Sequence, residues 1–213
     1  MMRKAGRAPN EHADPHLLAA FSEIAERIAR SLSLPAGSSP IRMFVAGGVA
    51  VHYYTGVRPT RDVDAVFSHK LLLPADLDVN YLDASGTPRL LYFDRQYNDT
   101  FGLLHEDAND DSVSICLQGV DTKKLDVRLL SPLDVAVSKL ARYEDHDRTD
   151  ILALAEAGLI AERQVRRRAE EALAAYVGNV AGVRASLGLA CKLIADVQAN
   201  KRGRVPAKPG RRR

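Results

Sequence analysis

The chain has 213 residues, of which 46% are hydrophobic and 27% charged, and its formal net charge is +3. These values are typical of a soluble globular protein, and no apolar run approaches the roughly 20 residues that span a bilayer. Residues 1–14 are polar and lack the apolar core of a signal peptide, so we expect a cytoplasmic protein. Cys116 and Cys191 match no zinc spacing and lie in apolar surroundings, so they are expected to be buried, reduced thiols.

The N-terminal region, residues 1–40, is predicted to consist of one helix and a loop. Apolar residues recur at helical spacing over residues 15–33, at Leu17, Phe21, Ile24, Ile28 and Leu32. The prolines and glycine of residues 35–40 then end the helix in a loop.

Gly47 and Gly48 follow a short apolar run, residues 41–46, which predicts a buried strand. Residues 49–55 after them predict a helix that ends at Gly56. Because glycine lacks Cβ, the chain can bring backbone N–H groups close to a phosphate, and the N-terminus of a helix favours an anion. The pattern is a weak indication by itself, because two glycines are common at turns between a strand and a helix.

Asp62 and Asp64 stand at the start of a second predicted strand, residues 62–67. Side chains two apart on a strand share a face, with Cα atoms about 6.5–7 Å apart. Two carboxylates held so close repel each other unless a cation lies between them, and Mg²⁺ prefers such oxygen ligands. For the pair alone, a solvated strand end is the favoured explanation.

A third carboxylate is needed to complete a site with two metal ions and to activate an attacking hydroxyl as a general base. Residues 70–110 give no clear assignment, whereas residues 113–117 and 124–130 predict two strands joined by a turn. Asp126 lies inside the second of these strands on its polar face, so we predict that it completes the site. Asp121, in the turn, is the less well placed alternative.

The C-terminal half is predicted to be helical. Ser131 can cap a helix that begins at Pro132, and further helices are expected over residues 161–177 and 180–197. The predicted fold class is therefore α/β (α+β), with a mixed β-sheet and flanking helices. We divide it into a core over residues 41–135, a helical region over residues 136–200, and a basic tail over residues 201–213, which we expect to be disordered.

Gly47-Gly48, followed after thirteen residues by Asp62-Val-Asp64, resembles the signature of the DNA polymerase β-like nucleotidyltransferase superfamily. The string Arg58-Pro-Thr-Arg-Asp-Val-Asp64 is similar to the Arg-x-Thr-x-Asp-Ile-Asp block of AbiEii-type nucleotidyltransferases, which include the toxins of type IV toxin–antitoxin systems. Ser138-Lys-Leu-Ala-Arg142, followed by Asp147-Arg-Thr-Asp150, resembles a later block of the same group. The resemblance implies a nucleotidyltransferase fold for the mixed sheet.

The resemblance also implies roles for individual residues. Asp62, Asp64 and Asp126 would hold Mg²⁺ or Mn²⁺, with Asp126 also acting as the base, and Lys139 would serve in catalysis at the triphosphate or the acceptor. The nucleoside triphosphate would contact a further set of residues: Gly47, Gly48, Arg58, Thr60 and Arg142. For Thr60 and Arg58 the alternative is that they support the strand that carries the metal ligands.

Lys139 and Arg142 would lie about 60° apart on one helix and could reach the same anion. A solvated basic face is the alternative. Asp147 and Asp150 are expected either to orient these cations or to cap the next helix.

The expected reaction transfers a nucleoside monophosphate from a nucleoside triphosphate to an acceptor hydroxyl and releases pyrophosphate. We expect the acceptor to be RNA, at the 3′ end of a tRNA, with the protein as a toxin neutralised by a cognate antitoxin. Toxins of the resembling group act on tRNA, and residues 201–213 carry seven basic side chains and no acidic one, whereas the rest of the chain has 23 basic and 27 acidic ones. A solubilising role for this tail is the alternative.

Two alternatives to this function stay open. The same chemistry could act on a protein, in an AMPylation-like reaction, or on a small molecule of the aminoglycoside type. The chain could also be a catalytically inactive module that binds a nucleotide or RNA. Loss of turnover in a variant without the two aspartates would separate the catalyst from the inactive module.

Overall fold

The computed structural model describes residues 13–97 and 102–203, which form a mixed α+β fold. The described helices and strands follow one another in this order: α1 (Pro15–Ser31), β1 (Ile41–Val45), α2 (Gly47–Thr55), β2 (Asp62–Val63), β3 (Ala65–Phe67), β4 (Asp78–Leu82), β5 (Pro88–Phe93), β6 (Val113–Ser114), β7 (Leu125–Leu129), α3 (Pro132–Ser138), α4 (Asp145–Glu156), α5 (Glu162–Leu173) and α6 (Val180–Gly203). The predicted fold class is confirmed. In the described part of the chain, none of the helices is both long enough and apolar enough to cross a membrane.

The strands form two small sheets that meet at Asp64. One sheet has the order β3-β1-β7-β6 and the other the order β2-β5-β4. The sequence predicts one continuous strand over residues 62–67, but the chain leaves β2 after Val63 and enters β3 at Ala65. Asp64 is therefore the residue at which the chain passes from one sheet to the other.

Helix α1 covers one face of the second sheet. Its apolar stripe is buried as predicted, at Leu17, Phe21, Ile24, Ile28 and Leu32. Asp14 caps the helix by accepting a hydrogen bond from His16 N, and Pro15 follows at the first helical position. Burial of each large apolar side chain stabilises the fold by about 1.5–3 kcal/mol, so the stripe fixes the helix against the sheet.

The beginning of α3 is as predicted, but its end is not. Ser131 Oγ accepts a hydrogen bond from Asp134 N at 3.1 Å, and Pro132 takes the first helical position. The helix ends at Ser138, and Tyr143 adopts a positive φ of 53° that turns the chain before α4. Helix α4, Asp145–Glu156, was not assigned from the sequence.

Three other predictions differ from the structure in extent. Residues 70–110, left unassigned, contain the hairpin of β4 and β5, and the strand expected over residues 113–117 is reduced to Val113–Ser114. Helix α6 continues through Gly203, so the boundary placed at residue 200 falls inside a helix. The rest of the predicted tail, residues 204–213, lies outside the described residues. Cys191 is buried as expected, whereas Cys116 is exposed, so the prediction that both are buried is wrong for Cys116.

Candidate active site

A sharp turn joins β1 to α2 beside Asp64. Ala46, the N-cap of α2, has an extended backbone and makes no hydrogen bond through its side chain to the helix. Its N–H donates to Asp64 O at 2.8 Å, which ties the turn to the junction between the two sheets. The first N–H groups of α2 thus have no side-chain cap, the arrangement in which the N-terminus of a helix binds an anion.

Each of the two glycines makes room for one side of the Asp62–Asp64 segment. A Cβ added to Gly47 would overlap Oδ2 of Asp64 and lie 2.7 Å from its Cγ. A Cβ added to Gly48 would overlap the hydroxyl of Thr60 and lie 2.6 Å from its Cβ. Gly47 also has a positive φ of 58°, a conformation that side chains rarely adopt. Both positions therefore require glycine.

Thr60 connects this packing to the second carboxylate. The buried Thr60 hydroxyl donates to Asp62 Oδ1 at 2.7 Å. Gly48 packs against the same hydroxyl, so the backbone of the turn fixes the orientation of Asp62 through Thr60. The two glycines thereby position both carboxylates, Asp64 by direct contact and Asp62 through one hydrogen bond.

The Asp64 carboxyl carries the clearest electrostatic sign of a functional site. Burial, followed by the negative charges of Asp62 and Asp94, raises its pKa to about 6, while the charges of Lys139 and Arg142 oppose this rise. A raised pKa means that the negative charge there is poorly compensated in the protein alone. Perturbed carboxyls of this kind concentrate at functional sites and at sites for cations.

Asp94 is the acidic residue that the sequence reasoning missed. Strands β2 and β5 are parallel, with Asp62 beside Tyr92 and Val63 beside Phe93. The next pair in this register is Asp64 and Asp94, and Asp94 N donates to Val63 O at 3.1 Å. The apolar run before Asp94, which ends in an acidic residue as a strand end would, is the signal that could have identified it.

Asp126 does not join the other carboxylates, and its prediction as the third member of the site is wrong. It pairs with Arg42 in the parallel β1–β7 register, whereas Asp64 is hydrogen-bonded to Ala46, four residues after Arg42 and just beyond the end of β1. Four residues of strand span about 13 Å.

Asp126 instead accepts hydrogen bonds from Ser114 at 2.6 Å and from Arg128 at 3.1 Å. Only the C-terminal end of β7 reaches the glycine turn, so an acidic residue near its start cannot do so. Asp121, in the turn that precedes β7, lies at that distant end too.

The basic residues predicted for the site belong to one ion-pair network with two buried aspartates. We call this network the cationic cluster, and its members are Arg58, Lys139, Arg142, Asp147 and Asp150. Asp150 accepts two hydrogen bonds from Arg58, at 3.0 and 2.7 Å, and lies 2.7 Å from Lys139 Nζ. Asp147 accepts two hydrogen bonds from Arg142, both at 2.9 Å, and one from Lys139 Nζ at 3.4 Å.

Lys139 and Arg142 meet at the same carboxylate, but not in the way predicted. They lie beyond the end of α3 rather than on one helix, and Asp147, in the first turn of α4, brings them together. The Asp147 carboxylate also accepts a hydrogen bond from Glu144 N. Asp147 therefore both orients the cations and completes a capping box for α4. Burial alone would raise the pKa of Asp147, but the hydrogen bond from Arg142 and the charge of Lys139 hold it below its ordinary value.

The cationic cluster carries three positive and two negative charges, and it lies near enough to lower the pKa of Asp64. Arg142, with 58% of its side chain exposed, is the member best placed to reach a ligand. Lys139 is 7% exposed, so its ammonium is held almost entirely by the two aspartates. The site thus combines acidic groups, an uncapped helix N-terminus and an accessible cation, which suits a metal–phosphate ligand.

The fold is compatible with that of a nucleotidyltransferase, and the comparison with protein families supports this class. A model of the family described as a nucleotidyltransferase of unknown function (DUF6036) matches residues 19–183. The chain belongs to this family. No curated protein and no solved structure matches the chain. The finer assignment to the AbiEii type stays a prediction.

Replacing Gly47 by Ala should disrupt the site more than it disrupts the fold. The new methyl group would push the Asp64 carboxylate away, so we expect nucleoside triphosphate binding to weaken at least about tenfold, a loss of about 1.4 kcal/mol. The matched control is Gly86→Ala, because Gly86 also has a positive φ but no atom within 4 Å of an added Cβ. Equal loss of binding in both variants, measured by titration calorimetry, would show that backbone strain alone is responsible.

The raised pKa of Asp64 predicts how stability depends on pH in metal-free protein. Its folded pKa of about 6 exceeds the ordinary value of 3.8, so the protonated form favours folding and this contribution is lost as the pH rises through 6. Asp64→Asn stays neutral and should therefore be more stable than wild type above pH 6, by about 3 kcal/mol at most.

Chemical unfolding in EDTA at a series of pH values measures this difference. The two proteins should approach equal stability below about pH 4, where Asp64 is protonated in both states. Asp126→Asn is the control, and it should lose stability because it weakens an ion pair with Arg128. An Asp64→Asn variant less stable than wild type at pH 8 would contradict the electrostatic account.

Proposed function

We propose that this protein transfers a nucleoside monophosphate from a nucleoside triphosphate to an acceptor hydroxyl and releases pyrophosphate, with Mg²⁺ or Mn²⁺ as the cofactor. The observation that carries the proposal is the position of Asp64. Its half-buried carboxyl lies beside Asp62 and Asp94 and against the glycine turn at the N-terminus of α2. A metal–triphosphate complex supplies both the cation and the anion that this arrangement lacks.

Asp62 and Asp64 are the residues that would hold the metal ion. Among the described residues, no group of three or more His, Cys, Asp or Glu side chains is arranged to bind an ion without a ligand. Magnesium is commonly bound through one or two carboxylates together with substrate phosphates, so two aspartates fit the role of the protein ligands. When bound, the ion neutralises charge that develops on the phosphoryl oxygens.

The triphosphate would be bound from two directions. The first N–H groups of α2 face it from the glycine turn, and Arg142 reaches it from the cationic cluster. Asp147 holds the Arg142 guanidinium through two of its N–H groups, which leaves other N–H groups for phosphate oxygens. Thr60 and Arg58 support the site without contacting the triphosphate. Thr60 orients Asp62 through a hydrogen bond, and Arg58 holds Asp150 in an ion pair.

We assign to Asp94 the role of accepting the proton of the attacking hydroxyl. It reaches Asp64 from the β5 side, whereas the glycine turn reaches Asp64 from the β1 side. Phosphoryl transfer needs the attacking and leaving oxygens roughly in line, so an acceptor on the β5 side and a pyrophosphate on the β1 side satisfy this requirement. In this arrangement Asp62 and Asp64 lie between the two reacting groups.

The tRNA acceptor, the toxin role and the antitoxin partner stay predictions. They depend on the resemblance and on the basic run at the C-terminus, and the family match bears on none of them. Incubation with each labelled nucleoside triphosphate and total tRNA tests them directly. Label that appears only on protein or on a small molecule would contradict the RNA acceptor.

The acidic residues give the sharpest test of the proposed chemistry. Asp62→Asn and Asp64→Asn should abolish Mg²⁺-dependent transfer of labelled nucleotide, because they remove the metal ligands. Asp94→Asn should lower the rate by about 10²–10⁴-fold while nucleotide binding persists, as expected for the loss of a general base. Asp126→Asn is the control and should keep near wild-type activity, because its carboxylate lies outside the site.

Two results would contradict this assignment. An inactive Asp126→Asn variant with normal folding would restore the residue to the site, in disagreement with the strand register. A wild-type protein that binds nucleoside triphosphate with Mg²⁺ but transfers nothing to RNA, protein or aminoglycoside would support an inactive binding module instead.

A further inference from the structure

One face of the β2–β5–β4 sheet is open to solvent. Helix α1 covers the other face, where Val79, Leu91 and Phe93 are buried. Because side chains alternate along a strand, the residues between them point outward. We call this outward set the open face, and its members are Asp62, Asp78, Asn80, Leu82, Pro88, Leu90 and Tyr92. Leu82 is 57% exposed, Leu90 37% and Tyr92 36%, so the face presents an apolar strip.

The open face is continuous with the candidate active site. Tyr92 lies beside Asp62 on one neighbouring strand and beside Asp78 on the other. Asp94, the next outward position of the chain after Tyr92, lies beside Asp64. The strip from Pro88 to Tyr92 spans five residues, or about 13 Å from the first Cα to the last, and leads to the two carboxylates.

The position of this face matches the direction from which the acceptor must approach. The glycine turn, which would bind the triphosphate, contacts Asp64 from the β1 side. The attacking hydroxyl must then come from the β5 side, over Asp94. The open face begins there and is the surface that an acceptor would cover.

The charge of the open face disfavours a nucleic acid. Nucleic acids are bound mainly through lysine and arginine contacts to their phosphates. All seven residues of the face are described by the structure; two are aspartates and none is lysine or arginine. Arg89, near the hairpin end, points to the opposite side and forms an ion pair with Asp83 at 2.8 Å. An uncharged or basic partner suits this surface, whereas a polyanion does not.

The backbone of β4 indicates what kind of partner fits. Phe93 N donates to Leu77 O and Asp83 N donates to Thr87 O, so the odd-numbered residues of this strand direct their N–H and C=O groups toward β5. The groups of Asp78, Asn80 and Leu82 therefore point to the outer edge. Arg27 of α1 donates to Asp78 O at 3.3 Å, so Asn80 and Leu82 form the part of the edge that a partner can reach. In the described part of the chain, β4 pairs with β5 alone. An extended peptide can add to such an edge through main-chain hydrogen bonds.

From these observations we propose that the open face and the edge of β4 bind the acceptor, and that the acceptor is an extended polypeptide segment with a hydroxyl side chain flanked by apolar and basic residues. This inference rests on the proposed nucleotidyl transfer. In the reaction, the hydroxyl oxygen bonds to the α-phosphorus and the bond from that phosphorus to pyrophosphate breaks. The hydroxyl proton passes to Asp94, and no oxidant or reductant is needed.

The test uses the full chain and three fluorescent probes: the peptide Lys-Ile-Ser-Val-Lys-Val, the acidic peptide Glu-Ile-Ser-Val-Glu-Val, and an RNA oligonucleotide that ends in CCA. We expect the basic peptide to bind more tightly than the other two in a fluorescence anisotropy titration. With Mg²⁺ and labelled nucleoside triphosphates, it should also become labelled on its serine.

Leu82→Lys should weaken binding of the basic peptide about fivefold to tenfold, because it removes apolar surface and places a like charge on the face. Its matched control is Leu189→Lys, because Leu189 is 60% exposed but lies on α6. The control should leave peptide binding unchanged, and both variants should bind nucleoside triphosphate as wild type does.

The outcomes separate this inference from the proposed function. If nucleoside triphosphate is bound and transferred to the RNA oligonucleotide, or to kanamycin in a parallel assay, but not to the peptide, the inference fails alone. Equal peptide binding by Leu82→Lys and wild type would also overturn it. Absence of nucleoside triphosphate binding would defeat the proposed function, whatever the peptide does.

Discussion

The close approach of the glycine turn to the Asp62–Asp64 segment is the constraint on which the site depends. Gly47 lies so close to the Asp64 carboxylate that any side chain at position 47 would displace it. Gly48 leaves room for the hydroxyl of Thr60, which in turn holds Asp62. The same contacts bring the N-terminus of α2 to the carboxylates, so the groups suited to a cation and to a phosphate become neighbours through one packing arrangement.

This arrangement brings several carboxylates close together, and the positive charges of Lys139 and Arg142 partly compensate them. Asp62 and Asp94 lie near Asp64 at the junction of the two sheets, and burial together with their negative charges raises the pKa of Asp64. The cationic cluster opposes the rise in the pKa of Asp64. Its own aspartates, Asp147 and Asp150, neutralise most of its positive charge. The balance leaves a raised pKa at Asp64 and an exposed arginine nearby, a combination that suits the proposed metal ion together with a phosphate group.

The sequence could predict those parts of the site that are local in the chain. The two glycines, Thr60 and the pair Asp62 and Asp64 lie within eighteen residues of one another, and their spacing implies their contacts. The cap at Ser131 and the stripe of α1 are equally local, and the structure confirms both. Local periodicity and capping signals are enough to define such elements.

The third carboxylate could not be predicted in this way, because its position depends on which strands pair. A polar residue within an apolar strand singles out Asp126, but β7 runs parallel to β1 and places it at the far end. Asp94 is brought to the site by parallel pairing of β5 with the two-residue strand β2, in a region without a clear periodic pattern. The meeting of Lys139 and Arg142 at Asp147 likewise depends on how α4 folds back against the end of α3.

The central claim is that Asp62 and Asp64 together bind a divalent ion that also contacts a nucleoside triphosphate. Anomalous diffraction from crystals grown with Mn²⁺ and a non-hydrolysable triphosphate tests it most directly. The account predicts a manganese peak between these two carboxylates, with the phosphates at the N-terminus of α2. A nucleotide bound elsewhere, or a manganese peak at Asp126 with none beside Asp64, would contradict it.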